Sequence, residues 1–484
     1  MVEPMKLDGL GRASDWSGIH VCVAGIRVAG AACVRALVAL GADVVAVDAG
    51  ASADHERWAD ELRSIGATVR LGDGDTLPTD LDLLVVSPGF PPTAPIIRSA
   101  TAAGVTVWGE LELAWRLRSA QAAPWLAITG TNGKTTATLM LESILRAAGQ
   151  RAIAAANIGV SLVEAVMADD LDVIAVEVGA PQLPFWHSVS PLAAVCLNVA
   201  EDHIDHFGSF DAYTAAKARI YERCQVAAIY NCADQRTIAM VRDADVAPGC
   251  RAIGFTLGIP GPGELGVVEE LLVDRAFGAH RDTTAVELAV VDDVHPAAAH
   301  NVANALAAAA LARAFGVSPE AIAAGLRSFT PAGHRIADVA EVRGVRYIDD
   351  SKATNAHAAD TSLRSYESVV WIAGGLAKGQ EFDELVAASR DRLRAVILLG
   401  ADREVIAGAL QRHAPEVPVV VVANTQTGAM AEVVAAAAAM AEPGDTVLLA
   451  PGCASWDMFV SYAQRGDMFA QEVHRLAAPT EEHR

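Results

Sequence analysis

Three times along the chain an apolar run of strand length stops at a glycine turn and passes into a segment of helical periodicity. The first is "IHVCVAGIRVAGAACVRALVALGADVVAVD" (19–48) and the second "PWLAITGTNGKTTATLMLESILRAAG" (124–149). The third begins at "GVRYIDDSKATN" (344–355) and continues through "SVVWIAGGLAKG", "AVILLGAD", "VPVVVVANT" and "DTVLLAPGCAS". Strands that are apolar on both faces need helices on both faces, which is the layout of a mostly parallel, doubly wound sheet. The chain of 484 residues has room for several such units. The spacing predicts an α/β protein of three domains. The first, 1–118, closes at "GVTVWGELELAW" and the polar "RLRSAQAAP"; the second is 119–330 and the third, after "RSFTPAGHR", 331–484. Ala-rich stretches such as "ANALAAAALARAFG" read as helix formers rather than low-complexity tails.

The balance of charge narrows the partners. A formal net charge of −22 disfavours nucleic acid and anionic membranes, so a phosphate ligand has to be held by a local site. No run approaches the roughly 18 apolar residues of a membrane span, and the start lacks a basic segment followed by an apolar one, so a cytoplasmic protein is expected. Seven cysteines, at 22, 33, 196, 224, 232, 250 and 453, include no C-x-x-C pair, which argues against a disulfide framework and a structural zinc site.

The second beginning carries the chemistry. In "GTNGKTT", Gly130 and Gly133 let the backbone of Thr131, Asn132 and their neighbours fold so that N–H groups point at an anion. Lys134 adds a positive charge, Thr135 a hydroxyl for a metal, and Thr136 opens onto the N-terminus of the following helix. The longer G-x-x-x-x-G-K-[ST] frame would need glycine at Ile128, but the donors belong to the shorter G-x-x-G-K-T frame. A strand-to-helix turn that merely contains Gly-Lys-Thr is the bland alternative. Downstream, Glu177 ends the apolar "DVIAVE", where an acid is costly unless paired, metal-bound or at the surface. "VAEDHIDHFGSF" gathers Glu201, Asp202, His203, Asp205 and His206, candidates for metal or acid–base work or simply helix capping. Lys217 in "YTAAKARIYERC" reads as an ordinary helical lysine. In the first domain Gly25 and Gly30 form G-x-x-x-x-G, not the dinucleotide G-x-G-x-x-G, which tells against a nicotinamide-dependent oxidoreductase.

Taken in order, "GTNGKTT", "EDHIDHFGSFDAYTAAKARIY", "HNVANALAAAA", "DDSKATN", "GGLAKG" and "PGCASWDMFVSYAQRGDMF" resemble the Mur ligases over nearly the whole chain. "DSKATN", "GGLAKG" and "CASWDMF" resemble the branch that joins D-glutamate to UDP-N-acetylmuramoyl-L-alanine. The resemblance implies Rossmann-like outer domains around a central P-loop-type ATPase domain, with ATP and Mg²⁺ as cofactors and a carboxylate activated as acyl phosphate. It implies a monomer working on soluble precursors of the cell wall. Residue by residue, it implies that Gly130, Thr131, Asn132, Gly133, Lys134, Thr135 and Thr136 hold ATP phosphates, with Asn301, Asn304, Arg335 and Asp350 on the nucleotide. It further implies that Thr135, Glu177, His203 and a carbamylated Lys217 hold magnesium, Lys134, His203 and Lys217 being catalytic. D-Glutamate is expected at Lys352, Thr354, Lys378, Ser455, Trp456 and Tyr462, and the UDP substrate at Gly25, Gly30, Ser87 and Asn157.

The chain departs from the family pattern at "EVGAPQL" (177–183). Gly179, Ala180 and Pro181 stand where the family usually has Ser-Ser-Phe, so two hydroxyls, an aromatic ring and, at proline, a backbone N–H are missing. Smaller departures are Ala156, Trp456 and Met458. An active but impaired ligase is one expectation; a non-catalytic nucleotide-binding homologue and a folylpolyglutamate-type ligase are the alternatives.

Overall fold

The computed structural model describes residues 7, 9–202, 204–278, 280–330 and 333–477, the side chain at 205 excepted. The expected α/β architecture is present as three sheets. The first is built from β1 (His20–Ala24), β2 (Asp43–Asp48), β3 (Thr68–Leu71), β4 (Leu83–Val86) and β5 (Thr106–Gly109), in the order β3-β2-β1-β4-β5. All its pairs are parallel. The winding reverses between β1 and β4, where open α/β sheets place their ligands.

The second sheet has nine strands in the order β14-β13-β12-β11-β10-β9-β6-β8-β7. They are β6 (Trp125–Thr129), β7 (Ala152–Ala156), β8 (Val173–Glu177), β9 (Ala193–Cys196), β10 (Ala227–Asn231), β11 (Arg251–Phe255), β12 (Glu264–Val268), β13 (Leu271–Asp274) and β14 (Val286–Val290). Its centre is parallel, and antiparallel pairing begins only between β12 and β13 and between β13 and β14. Every residue of β6 and β8 is buried, as expected of strands apolar up to their last residues, Thr129 and Glu177, and covered on both faces. One cover is the helix Lys134–Ala147, which buries Ala137, Met140, Leu141, Ile144 and Leu145 along one stripe. A second is the Ala-rich helix Ala299–Phe315, buried around almost its whole circumference.

The third sheet, β15-β16-β20-β17-β18-β19, is parallel except for the β15–β16 hairpin. Its strands are β15 (Ala337–Val342), β16 (Val345–Asp349), β17 (Val369–Gly374), β18 (Leu393–Leu399), β19 (Val419–Val421) and β20 (Thr446–Leu449).

The chain forms two compact units, one holding the first two sheets, the other the third sheet with the short segment Ala200–Asp205. Within the first unit, the helix Glu110–Arg116 ties the two sheets together through buried carboxylates. Glu110 accepts from the Ser161 hydroxyl (2.6 Å) and the Leu162 N–H (2.9 Å), where the helix Leu162–Met167 starts. Glu112 accepts from the N–H groups of His187 (3.0 Å) and Ser188 (2.9 Å), the Ser188 hydroxyl (2.6 Å) and Arg116 (2.8 Å). Polar residues around 118 therefore lie inside one compact unit, downstream of a helix whose acids are interior caps. Among the described residues no helix is long and apolar enough to cross a membrane.

Candidate active site

The phosphate-type loop leaves β6 at the centre of the second sheet and enters the helix Lys134–Ala147 through Gly133, whose φ of +83° lies in the left-handed region. A Cβ at Gly133 would also come within 2.4 Å of the Asn304 amide oxygen, so Asn304, from the helix Ala299–Phe315, sits directly on the loop. Its neighbour Asn301 is likewise buried and donates to the Pro296 carbonyl (3.1 Å). The Lys134 ammonium donates to the carbonyls of Gly130 and Thr131, both at 2.8 Å. Thr135 is half-buried and Thr136 buried on the first turn of the helix.

Sequence reasoning passed over Asn198, which follows β9. Its carbonyl accepts from the Thr131 N–H (3.0 Å), its amide oxygen from the Asn132 N–H (2.9 Å), and its amide nitrogen donates to the Asn132 carbonyl (3.1 Å). One side chain thus fixes the loop between its two glycines. Tyr213 was missed as well: its hydroxyl shares a hydrogen bond with Thr131 Oγ1 at 3.0 Å. The signal available was its place four residues before Lys217 on one helix face.

Lys217 is far from the solvated lysine its local sequence suggests. On the helix Phe210–Ala218 it is 1% exposed. Its Nζ donates to the Gly130 carbonyl (2.8 Å) and lies 3.5 Å from Thr129 Oγ1 and 4.8 Å from the centre of the Tyr213 ring. Gly130 O thus receives two ammonium groups, from Lys134 and Lys217. Glu177, at the end of the neighbouring β8, is 2% exposed, which removes the surface-glutamate reading. Its Oε1 accepts from Asn157 Nδ2 (2.8 Å), while its Oε2 is buried with no hydrogen-bond partner among the described residues. His203, expected beside these residues, lies outside the described residues.

The Gly179-Ala180-Pro181 departure forms the start of a 3₁₀ turn, Ala180–Phe185. Gln182 folds back so that its Oε1 accepts from the buried Gly179 N–H (2.8 Å), leaving its Nε2 buried without a partner among the described residues. A Cβ on Gly179 would stand 3.2 Å from Gln182 Oε1 and 3.6 Å from Asn157 Oδ1, so the missing side chain would face the pair beside Glu177.

At the switch point of the first sheet, Gly25, Gly30, Ser87 and Asp48 line a cleft of about 570 Å³ together with Arg27 and Phe90. Gly30 permits it: a Cβ there would lie 1.7 Å from the Gly25 carbonyl oxygen. Asn157 is not among the lining residues; it belongs with Glu177 instead.

In the second unit, the loops after β16, β17 and β20 meet. Leu376 and Ala454 exchange backbone hydrogen bonds (2.9 and 3.0 Å), joining "GGLAKG" to "CASW". Arg465, 1% exposed, donates to Ser351 Oγ (2.9 Å), the Ser351 carbonyl (2.8 Å) and the Cys453 carbonyl (3.1 Å), so it ties "DSK" to the same loop. Burial holds its guanidinium down at about 10. Lys352 Nζ lies 3.9 Å from the Tyr462 ring centre, and Lys378 Nζ 5.0 Å from that of Trp456, which is 67% exposed. Ser455 is buried and Thr354 half-buried. Asp350 bonds to the Ser362 hydroxyl; burial pushes its carboxyl up to about 7, against the pull of Ser362 and Arg335.

Residues 128–312 match the Mur ligase middle domain, and residues 334–453 the Mur ligase glutamate ligase domain. A Streptomyces coelicolor protein named UDP-N-acetylmuramoylalanine–D-glutamate ligase is 58% identical over 96% of this chain and 100% of its own length. A protein of the same name from Streptomyces avermitilis is also 58% identical, over 96% and 100% of the two chains. Among solved structures, the UDP-N-acetylmuramate-alanine ligase MurC of Thermotoga maritima aligns with a TM-score of 0.57 at 16% identity, over 94% of this chain and 99% of that one. Escherichia coli FolC with ADP aligns at 0.52 and 22% identity, over 74% and 91%.

Proposed function

Because the chain belongs to the Mur ligase family, we propose that it is the ATP-dependent ligase that joins D-glutamate to UDP-N-acetylmuramoyl-L-alanine in the assembly of peptidoglycan precursors. The observation that carries this reading is the end-to-end match to relatives bearing that name. In the reaction, a carboxylate oxygen of the alanyl group takes the γ-phosphoryl group of ATP, the D-glutamate amine attacks the resulting acyl phosphate, and phosphate departs. A carboxylate oxygen leaves poorly and phosphate leaves well, so the protein's task is to position three anionic substrates and offset their charge.

The loop Gly130–Thr136 supports a phosphate-binding role, its backbone held open by Asn198 and its N-terminal helix dipole directed at the loop. Asn301, Asn304, Arg335 and Asp350 are proposed nucleotide residues, and Gly25, Gly30 and Ser87 the lining for the uridine diphosphate end. Asn157 is proposed to act from beside Glu177. Lys352, Thr354, Lys378, Ser455, Trp456 and Tyr462 are proposed to receive D-glutamate, whose two carboxylates suit ammonium and hydroxyl donors.

The donor set fits a hard divalent cation at one point in particular, the buried Oε2 of Glu177, which has no hydrogen-bond partner among the described residues. Among the described residues no three His, Cys, Asp or Glu side chains form a metal cage, so phosphate oxygens and the Thr135 hydroxyl would complete the sphere. Magnesium bound there would neutralise phosphate charge. Lys217 is buried, and its ammonium and that of Lys134 both donate to the Gly130 carbonyl. Addition of its neutral amine to CO₂ yields a carbamate and a proton, exchanging that cation for an oxygen donor. A carbamate carbon resonance in ¹³C-bicarbonate solution, lost in Lys217→Arg, tests this without reference to turnover.

Phosphate release that requires ATP, UDP-N-acetylmuramoyl-L-alanine and D-glutamate together tests the function. Release with L-glutamate and a folate in their place would identify a folylpolyglutamate-type ligase, and no release with either set a non-catalytic homologue. We further propose a monomeric, cytoplasmic protein, for which light scattering gives the mass in solution and fractionation the compartment.

A further inference from the structure

Lys378 stands in a backbone conformation that its residue type resists. Its φ is +54°, in the left-handed region where a Cβ crowds the backbone, and Gly379 follows at +74°. A lysine keeps such a conformation only where its surroundings enforce it.

Two side chains supply that enforcement. Asp402 follows β18 and precedes the helix Arg403–His413, a place where aspartate ordinarily caps the helix, yet its side chain makes no cap hydrogen bond. Its Oδ2 accepts instead from the Ala377 N–H (2.8 Å), and its own N–H donates to the Gly375 carbonyl (3.0 Å). The Ala377 carbonyl in turn accepts from the Gln380 N–H (3.1 Å) and from Gln380 Nε2 (3.0 Å). Gln380 Oε1 then accepts from the Ala356 N–H (2.9 Å), where the helix Ala356–Leu363 begins directly after "DSKATN". The residue before Lys378 is thus held at both its N–H and its carbonyl. Gln380 also joins this loop to the segment that carries Lys352 and Thr354.

We propose that Asp402 and Gln380 are positioning residues for the amino-acid substrate, which rests on Lys378 being a D-glutamate residue. Together they hold Lys378 in its left-handed conformation and fix where its ammonium meets a carboxylate. Charge separates this role from a purely electrostatic one. An acid beside a site for two carboxylates opposes binding, so loss of its charge alone should tighten the complex. Loss of the hydrogen bond to Ala377 should loosen it. Asp402→Asn and Asp402→Ala lose the same charge, but asparagine keeps an oxygen that can accept from the Ala377 N–H.

The test measures kcat and the KM for each substrate in the full chain. In Asp402→Ala the KM for D-glutamate is expected to rise about tenfold, the order of one charge-assisted hydrogen bond. The kcat and the KM values for ATP and UDP-N-acetylmuramoyl-L-alanine should stay within about twofold of wild type, as should every constant of Asp402→Asn. Gln380→Ala loosens the clamp without touching Asp402, so it decides the matter if Asp402→Ala does not fold; the same KM should rise about threefold. A D-glutamate KM that is unchanged or lower in both alanine variants, while Lys378→Ala raises it, overturns the proposal. So does an equal rise in all three KM values, the mark of a general structural role, or an Asp402→Asn as impaired as Asp402→Ala. A rise in only one of the two alanine variants removes the other residue from the clamp. No effect of Lys378→Ala on that KM overturns the reading of Lys378 itself, and the clamp with it.

Discussion

Asp350 gives the second unit a pH dependence that can be worked out in advance. Burial lifts its carboxyl from 3.8 to about 7, although Ser362 and Arg335 oppose the lift. Between those values the folded chain keeps a proton that the unfolded chain has released. Stability therefore falls as pH rises from about 4 to about 7, by about 1.4 kcal/mol per pH unit, and is level above that. From pH 5 to pH 7 the loss is about 2 kcal/mol. Asp350→Asn keeps the shape and the neutral charge of the protonated acid and removes the titration. Native-state hydrogen exchange of β17 amides, corrected for the intrinsic rate, reads the free energy of opening this unit at each pH. Groups common to both proteins cancel in the difference, so the wild type should lose about 2 kcal/mol relative to Asp350→Asn between pH 5 and pH 7. Parallel profiles over that range would refute the reasoning.

Asn198→Ala should weaken ATP binding by about tenfold to a hundredfold in calorimetric titration, since it removes two hydrogen bonds to the Asn132 backbone, worth roughly 1–3 kcal/mol together; unchanged affinity would show that the loop holds its shape without this clamp. Burial works to raise the Glu112 carboxyl, but donors from Ser188, Arg116 and His187 outweigh it and hold it below its ordinary value. Its stabilisation is present above about pH 4.5 and lost as pH falls through the folded value, so the thermal midpoints of wild type and Glu112→Gln should converge in acid. A gap that stays constant down to pH 3 would count against the capping role. Restoring Gly179→Ser, Ala180→Ser and Pro181→Phe together should raise turnover about tenfold, the worth of one buried hydroxyl contact. No gain in turnover or substrate affinity would mean that "GAP" impairs nothing.

The features legible in sequence were those written locally. Apolar strands followed by glycine turns disclosed the α/β sheets, because a strand buried on both faces carries that mark in its own residues. The glycine loop proposed to hold phosphate was legible through Gly133 and Lys134 for the same reason. Features that depend on distant contacts were hidden. Lys217 reads as a surface lysine until its helix is laid against Gly130 and Thr129. Asn198 and Arg465 carry no local pattern, since their partners lie in other loops. Glu110 and Glu112 carry no local sign of burial, yet both are interior caps.

Those interior caps also set an order of events on the ribosome. Ser188, the partner that closes Glu112, follows it by 76 residues. At translation rates of about 5–20 residues per second, Glu112 waits about 4 to 15 s for that partner to emerge. The nascent first sheet thus cannot be finished on its own. Its last helix stays open at the acids until the middle of the chain arrives, so the chaperone-exposed interval ends for the first two sheets together.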